Sequence, residues 1–355
     1  MLREGHAPDF TARLKLMSGA PVDQPMTLHY GLDSKDLLVF PWLDFNKFLA
    51  LLNLTSDGRQ WLERFDREKH IMLFKNFVDP VVQLMKANGI STPVLLRMGD
   101  GRDDFDFPTL TKSVGITNEK RQRYVLNLNV PRHWGHIPVV RNHDIEHDAK
   151  HSKLIWRGAT TGSFHIASTH SLTRSNLALN FDKFGEHDLG FTEIVQLNEA
   201  ISRVPPAKLK TMLREAVSVQ EQLKYKYLLS LEGNDVASGL KWMLYSNSTV
   251  LMPHPTCETW ACESQLKPYV HYVPLEDDLS DLNDKVMWCR DNPIDVNYIA
   301  ACGKAYISEF MDPETEDKLA SSILMKACAS GRIEIEKVLI KEIEKIRDGK
   351  LRTLD

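Results

Sequence analysis

The amino-acid sequence predicts an α/β protein in two halves, and three observations carry that reading. Between Lys224 and Pro274 a strand, a turn, a helix and a second strand follow one another in the order of a parallel βαβ unit. Strands separated by helical stretches recur on both sides of the polar segment His143 to His151. A length of 355 residues gives each half enough chain for its own core. The expected division is a domain over residues 1–150, a second over 151–330, and a closing amphipathic helix within 331–355 that packs across the boundary.

The βαβ unit organises the rest. Lys226 to Leu231 is a short apolar run that breaks at Glu232-Gly233-Asn234-Asp235, where glycine and short polar side chains favour a turn. Val236, Leu240, Met243 and Leu244 recur at helical spacing up to Tyr245, with Asp235 as the expected N-cap. Asn247 ends that helix, and Ser248 to Met252 forms the next strand, closed by Pro253 and Pro255. Ligands of parallel sheets bind beyond the carboxyl ends of the strands, so Glu232 to Ser238 and Pro253 to Glu263 are expected to share a crevice. A helix N-terminus there offers N–H groups to an anion such as a diphosphate. Every βα turn needs a glycine and a cap, so this turn alone is a weak sign; Glu258, Trp260 and Glu263 at the next strand end strengthen it.

Composition bounds the function. A hydrophobic share of 43% and a charged share of 26% are those of an ordinary globular protein, and a net charge of -4 gives no global attraction to nucleic acid or an anionic membrane. Five cysteines without a CxxC pair point to thiols in a reducing compartment, not to a disulfide framework or a zinc site. No apolar run of signal-peptide or membrane-spanning length is present, so the expected location is cytoplasmic.

In chain order, residues 1 to 35 are rich in turn formers and read as loosely structured. Gly58 to Ala87 reads as one or two amphipathic helices whose apolar stripe, Trp61, Phe65, Ile71, Phe74, Phe77, Val81 and Leu84, is expected in the core. Thr92 to Met98 is a strand that ends in a loop with Asp100, Asp103, Asp104 and Asp106. Such a loop can hold a metal, supply a general base, or simply be solvated; its spacing does not fit a calcium loop. Arg123 to Val130 alternates as a strand. His143, His147 and His151 would share one face if their segment were helical, which is metal-ligand spacing, but the segment has no apolar face and reads better as a linker.

Ser152 to Trp156 is again strand-like, and Arg157-Gly158-Ala159-Thr160-Thr161-Gly162 follows, with an arginine, glycines and hydroxyls suited to an anion. The lysine of a Walker loop is absent. Ser171 to Asn180 reads as a helix carrying Arg174, a second phosphate partner; Thr192 to Ile201 and Pro206 to Leu223 read as further helices. Helical stretches close the chain, the last over Gly331 to Ile346 with the stripe Ile335, Val338, Leu339, Ile343 and Ile346.

These residues carry a resemblance. Trp156-Arg157-Gly158, Tyr227 to Gly233 with Ala237, Ser238 and Lys241, Ser246-Asn247-Ser248, and Leu266 to Pro274 with Asp278-Leu279 resemble the family 90 glycosyltransferases over roughly Pro93 to Asp281. That group includes fungal capsule-associated xylosyltransferases, animal protein O-glucosyltransferases and bacterial lipopolysaccharide-modifying proteins; the Glu232 to Asp235 turn and the missing signal peptide are closest to the bacterial branch. The resemblance implies a GT-B architecture, two Rossmann-like domains facing a central cleft. It also implies inverting transfer from a UDP-sugar to a hydroxyl of a glycan or glycolipid acceptor, with no metal cofactor required.

Arg157 matches the family's arginine, which with Lys241 would serve the diphosphate, while Asn234, Ser238 and Glu263 would serve the nucleoside or sugar hydroxyls. The position of the animal members' catalytic aspartate falls on Asn127, which is no useful base. Asp100, and after it Asp106, are the expected bases. The alternatives are a metal-dependent hydrolase built on His143, His147 and His151, and a nucleotide-sugar-binding protein without catalysis. Peripheral contact of the last helix with an inner membrane surface stays open, against the expectation that it packs and is solvated.

Overall fold

The computed structural model describes residues 5–20, 24–31, 36–102, 105–116, 122–162, 173–196 and 199–350. Mixed α/β structure fills two compact units. One is built on Pro131–Asp312, with the described residues up to Pro8 added; the other on Asp9–Val130 and the described residues from Pro313 onward.

The unit on Pro131–Asp312 carries a five-stranded parallel sheet. Its strands are β1 (His151–Ala159), β2 (Asp188–Glu193), β3 (Tyr225–Leu229), β4 (Thr249–Pro253) and β5 (Val273–Leu275). They lie in the order β2-β1-β3-β4-β5, every neighbouring pair parallel. This is a doubly wound order, in which the direction of strand addition reverses between β1 and β3. Strand β4 is buried along its whole length, as both faces of such a sheet are covered. The core packs Leu154, Trp156, Phe191 and Leu251 of the sheet against Leu177 and Ile299 of flanking helices.

Local structure departs from the sequence reading at identifiable places. The helix expected from Val236 begins only at Leu240, capped by Gly239. Asp235 is buried in a preceding turn, where its carbonyl accepts from Gly233 N at 3.1 Å, so it does not cap the helix. Strand β2 was not expected; its residues precede and overlap the stretch from Thr192 read as helical, and burial beside β1 overrides that local pattern. The Pro206 to Leu223 stretch resolves into two short helices, Pro206–Thr211 and Val219–Gln222.

The polar segment around His147 is not one helix. A helix ends at His143, a 3-10 turn spans His147–Ala149, and β1 starts at His151. Asp144 breaks the run: its carboxylate accepts from Asn247 N at 2.6 Å and from the Lys150 ammonium. Among the described residues no group of three or more His, Cys, Asp or Glu is arranged to hold a metal ion.

In the other unit Leu37–Val39, Val94–Leu96, Thr109–Thr111 and Arg123–Val125 form a four-stranded sheet, antiparallel at the first pair and parallel thereafter. Residues 1 to 35 hold more structure than their composition suggests, with a helix Phe10–Met17 and a strand Met26–Tyr30. Buried Arg13 of that helix donates to both carboxylate oxygens of Glu316 at 2.6 Å, which fastens it to the helix Pro313–Ser330. Gly331–Ile335, read as the start of the last helix, is a strand paired in parallel with Met26–Tyr30. The helix Lys337–Arg347 follows and packs on the helix Phe45–Leu52. Within the apolar stripe Phe77 and Val81 are buried, whereas Trp61, Phe65, Ile71, Phe74 and Leu84 are only half-buried. No helix among the described residues is long and apolar enough to cross a membrane.

Candidate functional site

Doubly wound sheets leave a crevice where the strand order reverses, because the loops after the two diverging strands splay apart there. Here that point lies between the carboxyl ends of β1 and β3. After β1 come Thr160, Thr161 and Gly162; after β3 come Ser230 to Asp235. Arg174, on the helix Thr173–Leu179, reaches into the gap and joins them. Its Nη1 donates to the Ala159 carbonyl at 2.9 Å and to Thr161 Oγ1 at 2.7 Å, and its Nε and Nη2 donate to the Leu231 carbonyl at 3.3 and 2.9 Å. The Gly162 amide donates to Asn234 Oδ1 at 3.1 Å, a second tie between the loops.

Burial, with Arg132 adding like-charge repulsion, lowers the Arg174 guanidinium to about 10, while Glu232 and Asp235 act in the opposite sense. The group therefore stays charged at neutral pH. Gly233 fits only without a side chain: a Cβ there would lie 2.8 Å from Thr161 Oγ1 and 3.2 Å from Arg174 Nη2. Beside this crevice is a shallow pocket of about 340 Å³ with the open solvent at its mouth counted in, polar at Thr173, Ser230, Glu232 and His254 and apolar at Leu240 and Met252. Glu232 holds its far wall, its Oε1 accepting from Thr256 N at 3.0 Å and Cys257 N at 3.1 Å. Buried Tyr272 shares a 2.9 Å hydrogen bond with His254 Nδ1, which fixes the imidazole at the rim.

Asn234 and Ser238 are half-buried in the loop after β3. Lys241 and Glu263 meet each other: Nζ lies 2.6 Å from Oε1, and both side chains are 1% exposed. Glu263 also accepts from Thr259 N at 2.6 Å and Thr259 Oγ1 at 2.7 Å, so the pair fastens the helix Leu240–Tyr245 to the loop after β4.

Arg157 is held along the sheet, its Nε donating to the Glu215 carbonyl at 3.1 Å. Its Nη2 donates to Asp188 Oδ1 at 2.7 Å and its Nη1 to the Asp188 carbonyl at 2.8 Å, and Asp188 is in register with Ile155, two residues behind. Burial alone would raise the Asp188 carboxyl, but hydrogen bonds from Arg157 and Tyr225 outweigh it and hold the group below its ordinary range. Gly158 of the same motif is required because a Cβ there would meet Trp156 Cζ2 at 2.6 Å.

Asp100 and Asp106 belong to the unit on Asp9–Val130. The Asp100 carboxylate is 24% exposed and accepts from the buried Lys112 ammonium at 2.6 Å; Asp106 is exposed. Asp103 and Asp104 lie outside the described residues, as do Ser171 and the last five residues. The arginine at the switch point is thus Arg174, and the sequence signal for it was its place at the start of a helix after β1.

A parallel sheet of this winding, with a guanidinium and loop amides gathered at its switch point, defines an α/β protein of the kind that binds anions or nucleotides there. Residues 140–323, more than half of the chain, match the family model described as glycosyl transferase family 90, and the chain belongs to that family. It is 34% identical over 230 residues to O-glucosyltransferase LpsA of Dichelobacter nodosus, an alignment covering 65% of each chain. Over 239 residues it is 33% identical to Protein O-glucosyltransferase 2 of Danio rerio, covering 66% of this chain and 43% of that one. A shorter match, 32% over 91 residues, relates it to Protein O-glucosyltransferase 3 of Homo sapiens, with 25% and 18% of the two chains covered. The chain therefore spans less than two thirds of the length of these relatives.

Proposed function

We propose that the protein is an inverting glycosyltransferase that moves a hexose from a UDP-sugar to a hydroxyl of a glycan or glycolipid, with glucose the first sugar to test because the relatives are named O-glucosyltransferases. The observation that carries this reading is the convergence of Arg174, Thr161, Gly233 and Asn234 at the β1/β3 switch point. A fixed guanidinium and nearby loop amides suit the diphosphate, and the adjoining pocket, lined by both polar and apolar residues, suits the nucleoside or the sugar. Asn234 and Ser238 contact donor hydroxyls in this reading. Arg157 and Lys241, with Glu263, act one step back, by bracing the strands and loops that form the crevice.

Inversion is a single displacement. A carboxylate takes the proton of the acceptor hydroxyl as its oxygen attacks the anomeric carbon, and the bond to UDP breaks on the opposite side. Asp100 fills that role, with Asp106 as the second candidate, since both follow a strand end in the unit on Asp9–Val130. Positive groups fixed at the diphosphate meet the charge on the leaving UDP, so the reaction proceeds without a divalent metal. The reading extends to a GT-B arrangement, a cytoplasmic reaction and a lipopolysaccharide- or capsule-related acceptor.

The test is incubation with UDP-glucose, UDP-galactose and UDP-xylose, with and without EDTA, following UDP release and the anomeric configuration of the product. A β-linked product from the α-linked donor, insensitive to EDTA, is the expected result. Failure of every uridine nucleotide to raise the thermal midpoint would overturn it.

A further inference from the structure

We infer that the unit on Asp9–Val130 holds an acceptor subsite for an uncharged saccharide, in the cavity between the helix Ser56–Arg64 and the strand end at Arg97 and Met98. The inference rests on the glycosyl-transfer reading for its role and on this cavity alone for its chemistry. The cavity measures about 420 Å³, open mouth included, and Tyr30, Asp36, Thr55, Asp57, Trp61 and Arg97 supply its polar and aromatic lining. Leu37, Leu51, Leu52, Leu96 and Met98 form the apolar part of the lining.

Trp61 is the aromatic wall. The sequence reading put it in the core, yet it is half-buried, and its ring edge lies against the backbone where the strand ends: a Cβ on Gly99 would be 3.8 Å from Trp61 Cη2. The next residue is Asp100. A pyranose presents an apolar face of C–H bonds and a rim of hydroxyls, which match an aromatic face and planar polar side chains. Those side chains are already oriented. Arg97 pairs with Asp36 and lies over the Phe105 ring, 5.2 Å from its centroid. The Tyr30 hydroxyl donates to the Asp36 carbonyl at 3.0 Å, which leaves its lone pairs to accept from a saccharide hydroxyl.

Charge decides the ligand class. Asp36 and Asp57 set two carboxylates against the single guanidinium of Arg97, itself paired with Asp36. A phosphorylated sugar or a uronate meets more repulsion than attraction there, whereas a neutral saccharide finds both donors and acceptors.

The experiment is saturation-transfer NMR with methyl glucoside, methyl galactoside, maltose and cellobiose, with glucose 6-phosphate and glucuronate as charged controls. It is run on the wild type and on Trp61→Ala, Trp61→Phe and Asp57→Asn, alongside the UDP-dependent thermal shift of each protein. At least one neutral saccharide should bind the wild type, at least about tenfold more weakly in Trp61→Ala and within about threefold in Trp61→Phe. Asp57→Asn should also weaken it, the charged controls should bind less, and the UDP shift should be the same in all four proteins.

The inference is overturned if no neutral saccharide binds the wild type, if Trp61→Ala that melts cooperatively binds as the wild type does, or if a charged control binds as well as the neutral sugars. Should Trp61→Ala not melt cooperatively, unchanged binding in Asp57→Asn overturns it instead. If UDP shifts none of the proteins while saccharide binding still depends on Trp61, the donor reading falls and the subsite stands.

Discussion

Lys241 Nζ and Glu263 Oε1 lie 2.6 Å apart with both side chains 1% exposed, and the pair links the helix after β3 to the loop after β4. Two charges this deep are tolerated because each neutralises the other and Thr259 supplies further hydrogen bonds to the carboxylate. Removing one partner leaves the other buried and uncompensated. Lys241→Met and Glu263→Leu alone should each cost about 3–5 kcal/mol in denaturant unfolding, and the double variant should recover much of that loss. Additive losses would show that the two groups act independently.

Arg174 and Arg157 should separate cleanly in binding. Arg174 sits at the switch point, whereas Arg157 reaches toward Asp188. Arg174→Ala should abolish the UDP-dependent rise in thermal midpoint. Arg174→Lys should restore only part of it, because an ammonium cannot span Ala159, Thr161 and Leu231 at once. Arg157→Ala should lower the midpoint of the unliganded protein yet leave a UDP shift. The reverse pattern would move the diphosphate to Arg157.

Gly233→Ala places a methyl 2.8 Å from Thr161 Oγ1 and 3.2 Å from Arg174 Nη2. Overpacking of this kind costs about 1–3 kcal/mol. The more telling readout is titration with UDP: displacing Arg174 should weaken binding by more than the loss of stability accounts for, and unchanged affinity would show that the crevice is not the donor site.

His271 should make stability depend on mild acid. Burial, with Lys267 adding repulsion, lowers its pKa to about 4, and the ring packs 4.9 Å from that of Tyr306 while its Nδ1 accepts from Lys267 N at 2.9 Å. The unfolded chain binds this proton near 6.5 and the folded one only near 4, so the contribution is fully present above about pH 6.5 and is lost as pH falls toward 4. The loss amounts to about 3 kcal/mol. His271→Asn should flatten that part of the pH–stability curve, and an unchanged slope would assign it to other groups.

Much of the unit on Pro131–Asp312 was legible because its signals are local. Glycine, asparagine and aspartate after an apolar run mark the β3 turn, and β4 shows its apolar run and closing prolines in the sequence itself. Direction was not legible: a strand arginine can point to either end of its sheet, and only the partner at Asp188 fixes Arg157. Asp188–Glu193 carries a glycine inside and an acid at each end, so no apolar run or alternation stands out, and Gly331–Ile335 runs into a charged helix with no local break. Trp61 fits a core stripe by spacing alone, since periodicity separates faces of a helix and says nothing about a cavity beside one of them.

The pairing of Met26 with Gly331 has a consequence for how the chain is made. Pro131–Asp312 is one continuous stretch and can collapse as soon as it leaves the ribosome. The unit on Asp9–Val130 emerges before it, but its strand Met26–Tyr30 waits for Gly331–Ile335 and its Arg13 for Glu316, 303 residues further along the chain. Closing so distant a contact is slow, so during synthesis the helix Phe10–Met17 and the strand Met26–Tyr30 are protected only after Pro131–Asp312 has been made. Chaperones and proteases would meet them in that interval.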